Sequence, residues 1–390
     1  MRLEVPRAYA LLLDVLGPTV SNLAAARRAA VDDLAAALTP AGEPAREAAL
    51  RSHLAGGARW PPLLELAREH FLLPALWPAL RRHGAVDAVP ESLRRHLSAR
   101  ASRNPLPVEL TLEDLHRANA ERNHALRLQV EGVVALLRRA GIEPVLLKGA
   151  ALLLADGSDL GERQLRDLDL LVAEESIDTA VDVLRAAGYA PSDDAGVDES
   201  RPRSLGWYRR SHHHYCPLVQ PGAPAPIELH WALGSGAVDV ALPAARVRRD
   251  AVPAPAVHWR GLVPSPRDQL LHLMLHAEVS DFGHRRAVLP LRALHDLTLL
   301  CRQHGERVPW VGVAEALDEA GLTRVGAAFV ASAERLLALR PSLPGPLVPD
   351  RTARRHTERC IANASLPPGW RRRALALRGR WLMAFRRRRA

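Results

Sequence analysis

Lysine is the scarcest charged residue in this chain. Of its 53 basic residues 52 are arginine, and the single lysine is Lys148. Phe and Tyr are also scarce, with four of each among 390 residues, whereas Ala, Leu and Arg are plentiful. This composition favours helix. The length is sufficient for two or three domains with cores of their own.

Cysteine and long apolar runs are scarce as well. The three cysteines, Cys216, Cys301 and Cys360, are widely spaced and odd in number. They therefore exclude a disulfide framework and a cysteine zinc motif, and they indicate a reducing compartment. No uncharged run approaches the ~20 residues of a membrane span. The apolar patch at residues 9–13 is followed by Asp14 without a convincing cleavage site. We therefore expect a cytoplasmic protein.

Positive charge is concentrated at one end of the chain. The formal net charge is +10, and residues 351–390 alone hold 13 Arg against one Glu, or +12. Subtracting +12 from +10 leaves about −2 for the first 350 residues. Any argument for polyanion binding from net charge therefore rests on the tail.

The residues that carry chemistry begin in the stretch 142–172. The apolar run at 145–147 predicts a buried strand, and Lys148-Gly149 predicts a turn into a short Ala/Leu-rich helix. Glycine at such a turn lets backbone N–H groups approach an anion, and Lys148 adds a full positive charge. We interpret the turn as a phosphate site; the alternative is that the lysine falls there by chance.

A second strand is predicted by RDLDLLV at residues 166–172. Residues two apart on a strand share a face, so Asp167 and Asp169 should project together while Leu168 enters the core. Adjacent carboxylates repel, and one pKa should rise unless a cation neutralises them. Mg²⁺ is commonly held by one or two carboxylates plus substrate phosphates. We favour this metal site over a solvated strand end.

A third acid follows in the strand-like segment PIELHW at residues 226–231, where Glu228 and His230 share a face. Together, LLKGAALL, GERQLRDLDLLV and IELHWAL resemble the uncharacterised nucleotidyltransferase family of the polymerase-β-like superfamily. The resemblance covers about residues 60–305. The family pattern is a Lys-Gly turn, an Arg four residues before Asp-x-Asp-Leu-Leu-Val, and a later acid-Leu-His-Trp. Better-known superfamily members carry Gly-Ser in place of Lys-Gly.

The resemblance implies an α+β fold, with a small mixed β-sheet nucleotidyltransferase core flanked by helical N- and C-terminal domains. The expected limits are residues 1–125, 126–262 and 263–390. It implies transfer of an NMP group from an NTP co-substrate to an unidentified acceptor, with release of pyrophosphate. The acceptor is a small molecule, a peptide or protein side chain, or an RNA end. A phosphotransferase using the same metal site, or a non-catalytic nucleotide- or nucleic-acid-binding protein, is the alternative.

The resemblance also implies roles for seven residues. One set would hold one or two Mg²⁺ ions and carry the catalysis: Asp167, Asp169 and Glu228. The other set would contact the NTP or orient those carboxylates: Lys148, Gly149, Arg163 and His230.

Helical segments are predicted on both sides of this core. Apolar periodicity over residues 110–140, closed by a glycine, predicts a long helix leading into the Lys-Gly strand. Residues 60–82 also have a helical pattern, but Pro74 and Pro78 predict a break or two short helices. Prolines and glycines between 39 and 58 predict a loop-rich connection.

Two residue pairs on later helices have simple interpretations. His272 and His276 are one turn apart, and without a third ligand we favour a cleft-lining pair over a metal site. The resemblance implies that His276 faces the cleft. Arg292 and Asp296 are also one turn apart, and we interpret them as an ion pair.

A histidine cluster lies in a predicted hairpin formed by residues 207–219 and 226–233. Alternation along its first strand would point His212 and His214 one way and His213 the other. We expect a polar strand beside the cleft; an adventitious metal site is the alternative.

The tail after residue 367 places tryptophans, leucines and a phenylalanine at near-helical spacing among arginines. Three interpretations stay open. The first is a docked helix ending in a solvated arginine run. The second is an interfacial helix on a membrane surface. The third is contact with a polyanion such as RNA, DNA or an acidic substrate.

Overall fold

A computed structural model describes residues 18–40, 44–55, 59–89, 111–155, 157–192, 208, 212–255, 259, 261–305 and 308–366. Within these ranges many helices surround one seven-stranded mixed β-sheet, which confirms the α+β fold class. The arginine-rich tail lies outside the described residues, so the interpretations of it stay predictions. None of the helices in the described ranges has the length and apolar character needed to cross a membrane.

The sheet is built from short strands. In chain order they are β1 Val145–Leu146, β2 Leu168–Leu171, β3 Ala190–Pro191, β4 Leu218–Val219, β5 Ile227–His230, β6 Val252–Pro253 and β7 Leu262–Val263. Their spatial order is β3-β4-β5-β2-β1-β7-β6. The central strands β2 and β5 are parallel and place Asp169 beside Glu228. β4 pairs antiparallel with β5, which confirms the predicted hairpin over a shorter length.

The helices, also in chain order, fall before, within and after the sheet. Before it come α1 Pro18–Leu38, α2 Pro44–Leu54, α3 Trp60–Glu69, α4 Leu73–Arg82 and α5 Leu112–Arg139. Between its strands lie α6 Lys148–Leu153, α7 Ile177–Ala186, α8 Ala237–Ala241 and α9 Ala244–Arg249. After it come α10 Pro266–Leu275, a π-helical turn His276–Ser280, α11 Gly283–Arg286, α12 Leu291–His304, α13 Trp310–Glu319, α14 Thr323–Leu337 and α15 Arg351–Ser365.

The long helix α5 confirms its prediction at both ends. Thr111 and Asp114 form a capping box in which each side chain accepts from the other residue's backbone N–H. After the helix, Gly141 has a φ of +77°, a conformation that glycine adopts without steric cost. The predicted break in residues 60–82 is also confirmed. It falls between α3 and α4, and Pro78 is accommodated inside α4.

The loop-rich connection predicted for residues 39–58 is wrong, because it contains α2. Pro44 is the first residue of that helix, a position where a proline's missing N–H costs nothing. Leu50 and Leu54 of α2 are buried, and Trp60 Nε1 donates to the carbonyl of Leu54 at 2.9 Å. The prolines and glycines therefore flank a helix that tertiary packing stabilises.

Alternating residues of the sheet face two separate apolar clusters. Leu146 and Leu170 pack with α5 and α7 on one face. Val145, Leu147 and Leu171 belong to the other cluster, together with apolar residues of α1, α4, α10, α14 and α15. Helices from the two ends of the chain thus form one apolar layer on the same face of the sheet. The three domain limits expected from the sequence remain a prediction.

Candidate active site

A cavity of about 590 Å³ lies where the sheet meets this helical layer. Three parts of the chain line it. The sheet and its turns contribute Lys148, Gly149, Arg163, Arg166, Asp167, Asp169, His213, His214, Glu228 and His230. The segment between α3 and α4 contributes His70 and Phe71, and the later helices contribute His272, His276, Asp281, Arg292 and Asp296. All seven residues singled out from the sequence therefore line one cavity.

Three carboxylates meet on the central strands. Asp167 and Asp169 both line the cavity while Leu168 between them is fully buried, as alternation along β2 predicts. The parallel register of β2 and β5 then places Glu228 beside Asp169. Asp169 is only 1% exposed. Glu228, with a side chain that is 19% exposed, is the more accessible of this pair.

Asp169 is held by two hydrogen bonds to the same oxygen. Lys148 Nζ and His230 Nε2 each lie 2.8 Å from Asp169 Oδ1. Burial alone would raise the pKa of Asp169, but the ammonium of Lys148 and the imidazole of His230 hold it well below its usual value. Asp169 is therefore ionised at neutral pH.

The other two carboxylates respond differently. Burial raises the pKa of Asp167, and the negative charges of Asp169 and Glu228 raise it further. Burial acts in the same direction on Glu228, but its contact with His230 lowers the pKa of Glu228 overall. His230 Nε2 lies 3.7 Å from Glu228 Oε2. Of these three cavity carboxylates, Asp167 is thus the one whose charge is least compensated.

The turn between β1 and α6 brings Lys148 to Asp169. Lys148 has a φ of +48°, which is uncommon for a residue with a side chain and costs conformational energy. At Gly149 a Cβ would clash with the guanidinium of Arg163. Glycine is therefore required here by the close approach of Arg163.

Arg163 forms an ion pair with Asp296, the residue that we expected to pair with Arg292. Arg163 Nε and Nη2 donate to the two carboxylate oxygens of Asp296 at 2.7 and 2.8 Å. The expected Arg292–Asp296 ion pair is therefore wrong: the one-turn spacing brings the two close, but Asp296 forms its bidentate pair across the cavity. Asn119 and Asn123 of α5 fix the Arg163 loop by donating to its carbonyl at 3.0 and 2.7 Å.

An aromatic ring between two arginines was missed from the sequence. The guanidinium groups of Arg166 and Arg292 each lie 5.2 Å from the centre of the Phe71 ring, within cation–π range. Phe71 has a φ of +59°, a strained conformation for a bulky residue. Its position just after α3, at the break before Pro74, was the only signal available, and it carries no chemistry by itself.

Three more histidines that line the cavity have lowered pKa values. The rings of His213 and His214 lie 5.6 and 5.0 Å from that of His230. Burial, followed by repulsion from His230, lowers the pKa of His213 to about 3, and the pKa of His214 shifts in the same direction. Burial also lowers the pKa of His272 well below its usual value. These imidazoles are therefore neutral at physiological pH, when they donate or accept a hydrogen bond without adding charge.

The structure bears on two expectations about histidines beside the cavity. The alternation predicted for residues 212–214 is wrong, since His213 and His214 both line the cavity. The cleft-lining interpretation of His272 and His276 is confirmed, and their ring centres are 6.1 Å apart. Neither belongs to a group with metal-ligand spacing in the described residues.

A family profile matches the part of the chain that forms this cavity. The profile of the uncharacterised nucleotidyltransferase family matches residues 56–338, a segment that contains every cavity residue named above. The chain belongs to that family. None of the curated proteins compared with it matches. The family resemblance read from the Lys-Gly, Asp-x-Asp and Glu-Leu-His-Trp motifs is thereby confirmed.

The cavity has a donor set that suits a divalent cation. One ligand atom each of Asp169, Glu228 and His230 lies within 4.8 Å of the others. Asp167 adds a third carboxylate, whose pKa is raised by burial and then by the negative charges of Asp169 and Glu228. His230 Nδ1 is buried without a hydrogen-bond partner among the described residues. Carboxylate oxygens in this number are the ligands that Mg²⁺ prefers, so these residues fit the ion.

Proposed function

We propose that this protein is a Mg²⁺-dependent nucleotidyltransferase that moves an NMP group from an NTP to an acceptor and releases pyrophosphate. The observation that carries the proposal is the carboxylate cluster. Asp169 and Glu228 lie side by side on parallel strands, Asp167 precedes them, and the chain's single lysine contacts Asp169. Family membership supports the same reaction class.

Asp167, Asp169 and Glu228 would hold the metal. When bound, Mg²⁺ neutralises charge on the transferred phosphate and on the leaving pyrophosphate. The ionised states of Asp169 and Glu228 suit this role, because burial is outweighed by their contacts with Lys148 and His230. His230 would keep both carboxylates in position.

The triphosphate would contact Lys148 and the Phe71-stacked arginines. Arg166 is exposed at the cavity and Arg292 is half-buried in it. Stacking on Phe71 orients both guanidinium groups, which can donate two hydrogen bonds to a phosphate. The Gly149 N–H would contribute at the same turn. For Arg163, whose charge is offset by Asp296, we propose a positioning role: it fixes the Lys148-Gly149 turn by packing against Gly149.

The chemical step then follows from the geometry of the acids. The acceptor oxygen attacks the α-phosphorus, the bond from that phosphorus to the bridging oxygen breaks, and pyrophosphate leaves with the bonding electrons. The proton of the acceptor hydroxyl passes to a carboxylate or to water. Of the adjacent pair Asp169 and Glu228, Glu228 would be the better placed to take it, because its side chain is 19% exposed against 2% for Asp169.

The test follows the label from each phosphate. Protein is incubated with Mg²⁺ and either α-labelled or γ-labelled NTP, together with candidate acceptors: small hydroxyl compounds, peptides and RNA. The proposal predicts that α-label enters the acceptor and that pyrophosphate appears. Asp167→Asn/Asp169→Asn should abolish both, while the surface variant Asp182→Asn should behave as wild type.

Other results would replace the proposal with one of its alternatives. Transfer of γ-label with release of a nucleoside diphosphate would make the protein a phosphotransferase that uses the same site. Nucleotide binding without transfer to any acceptor class would favour a non-catalytic nucleotide-binding protein.

A further inference from the structure

The π-helical turn that follows α10 has one side at the cavity and one side buried away from it. His276 and Ser280 of this turn line the nucleotidyltransferase cavity. Glu278 lies between them in sequence and is buried away from the cavity, with only 4% exposure. π-helical turns are rare and are frequently found at functional sites. The rarity of such turns therefore also points to a role for the buried side, which carries Glu278.

Glu278 meets two histidines from separate helices. His284 is in α11 and His356 is in α15, and their rings are stacked with centres 4.1 Å apart. One ligand atom each of Glu278, His284 and His356 lies within 4.8 Å of the others. Glu278 Oε2 and His284 Nδ1 are 3.9 Å apart, too far for a hydrogen bond.

Two of these atoms lack a hydrogen-bond partner. Glu278 Oε2 and His284 Nδ1 are buried and have none among the described residues. An unsatisfied buried polar group costs about 1–3 kcal/mol, and more if it is charged. Burial without a compensating cation raises the pKa of Glu278 to about 8. The described protein thus brings one carboxylate oxygen and one imidazole nitrogen together without a hydrogen bond to either atom.

The backbone holds this arrangement under strain. Phe282 and Ala287, on either side of α11, have φ values of +59° and +52°. A Cβ at Gly283 would clash with the carbonyl oxygen of Ala277, so the start of α11 is pressed against the π-helical turn. Such strained positions cluster at ligand sites and active sites. Here they place His284 against Glu278.

We propose that Glu278, His284 and His356 bind one Zn²⁺ ion at a site separate from the carboxylate cluster. Two histidines and one glutamate are a known zinc ligand set. Ligands about 2.0–2.1 Å from a tetrahedral Zn²⁺ are about 3.3 Å apart. The 3.9 Å separation of Glu278 and His284, and the separations of up to 4.8 Å within the group, would therefore shorten by side-chain rotation when the ion binds.

The surroundings suit this ion. Burial lowers the pKa of His284, and the nearby guanidinium of Arg359 lowers it further, so the imidazole is neutral and able to bind a metal. A cavity of about 430 Å³ adjoins His284 and His356 and leaves room for water as a fourth ligand. Bound Zn²⁺ would tie α15 to the turn that carries His276 into the catalytic cavity.

The test counts zinc per chain. Full-length protein is stripped with a chelator, reloaded with Zn²⁺, desalted and analysed for metal, alongside Glu278→Gln, His284→Ala, Glu228→Gln and the exposed-histidine control His124→Ala. The carboxylate cluster of the cavity itself offers zinc ligands. The two variants of the proposed zinc site, Glu278→Gln and His284→Ala, are therefore also made in the Glu228→Gln background. We expect Glu228→Gln and His124→Ala to keep one equivalent of zinc at the proposed site. Glu278→Gln and His284→Ala should lose that equivalent.

A second readout separates binding from misfolding. Zn²⁺ should raise the melting temperature of Glu228→Gln and leave that of Glu228→Gln/His284→Ala unchanged. His284 is partly exposed, and circular dichroism will verify that its variant is folded. Zinc retained by both site variants in the Glu228→Gln background, or no zinc bound by Glu228→Gln, would overturn the proposal.

Discussion

The negative charge of buried carboxylates is compensated very differently in two parts of this molecule. Glu162 is only 2% exposed and is surrounded by partners. Arg82 of α4 lies 3.0 Å from it, Arg302 of α12 donates two hydrogen bonds at 3.0 and 2.7 Å, and His295 lies 3.3 Å away. Burial acts to raise the pKa of Glu162, but these contacts hold it far below its usual value.

The cavity cluster has the opposite balance. Asp167, Asp169 and Glu228 share Lys148 and His230, and both of these contacts are directed mainly to Asp169. Burial, followed by the negative charges of Asp169 and Glu228, raises the pKa of Asp167. Buried acids with a structural role can therefore be distinguished from buried acids with a chemical role by how fully their charge is compensated. Glu162 is saturated and ties helices from both ends of the chain to the core, whereas the cavity acids retain negative charge that a divalent cation would neutralise.

The largest expected effect comes from removing charge in the cavity. Asp167→Asn/Asp169→Asn should lower the transfer rate by about 10³-fold or more, because metal stabilisation of the transition state is worth several kcal/mol. Rates of α-label transfer measure this. Turnover within tenfold of wild type by the folded double variant would rule out these acids as the metal ligands.

Replacing Glu162, whose charge is compensated by several partners, should change the free energy of unfolding. Glu162→Gln should lower the free energy of unfolding by about 2 kcal/mol, since charge-assisted hydrogen bonds are lost while the partly exposed arginines regain water. Asp167→Asn should leave stability unchanged or raise it, because it removes repulsion. Urea unfolding compares the two. If Asp167→Asn proves the more destabilising of the two, the contrast between the clusters fails.

Loss of the lysine should weaken nucleotide binding. Lys148→Met should raise the Kd for an NTP about tenfold or more, which corresponds to one charge-assisted hydrogen bond. Because Lys148 is the only lysine, an aldehyde-bearing NTP analogue should label it at a single internal site, and unmodified NTP should protect it. Labelling at the N-terminal amine alone would contradict contact between Lys148 and the nucleotide.

Acid should reveal the Glu162 cluster through pH dependence. The folded-state pKa of Glu162 lies below its reference value of 4.5, so its contribution to stability is present above that pH and is lost as the pH falls below it. Stability measured from pH 6 down to pH 3 (about three pH units across this transition) should therefore fall less steeply for Glu162→Gln than for wild type. Parallel curves would show that other carboxylates dominate acid unfolding.

The smallest effect is expected at the aromatic ring. Phe71→Ala removes two cation–π contacts, each worth about 0.5–1 kcal/mol, and at the lower end of that range should weaken NTP binding about fivefold by leaving Arg166 and Arg292 poorly oriented. Calorimetric titration of an NTP measures this. Unchanged affinity, with the fold verified, would remove the stacked arginines from the nucleotide site.

Local patterns predicted which residues line the cavity better than they predicted the framework around it. Alternation through Asp167 and Asp169 needs only the strand period, and it holds because β2 is buried on both sides. The partner of Asp296 could not be predicted in this way, because the one-turn rule points to Arg292 while Arg163 reaches Asp296 across the fold. The position of Phe71 likewise depends on packing between segments distant in sequence.

The remaining failures have the same origin. Prolines and glycines around α2 predict a loop when each is counted alone, but Leu50 and Leu54 stabilise the helix through burial against the rest of the protein. The histidines at 213 and 214 both reach the cavity because this segment meets β5 only through a short bridge at His214, so regular strand alternation does not apply.

The most direct test of the proposed metal and nucleotide site is thermal stabilisation by each of the four NTPs, with and without Mg²⁺. Wild type is compared with Asp167→Asn/Asp169→Asn and with the surface control Asp182→Asn. A ligand at about 100 times its Kd adds about 2.7 kcal/mol to the folded state. We expect a Mg²⁺-dependent rise in melting temperature for wild type and the control, and its loss in the double variant. Equal stabilisation of all three proteins, or no Mg²⁺-dependent shift with any NTP, would contradict the proposed role of these carboxylates.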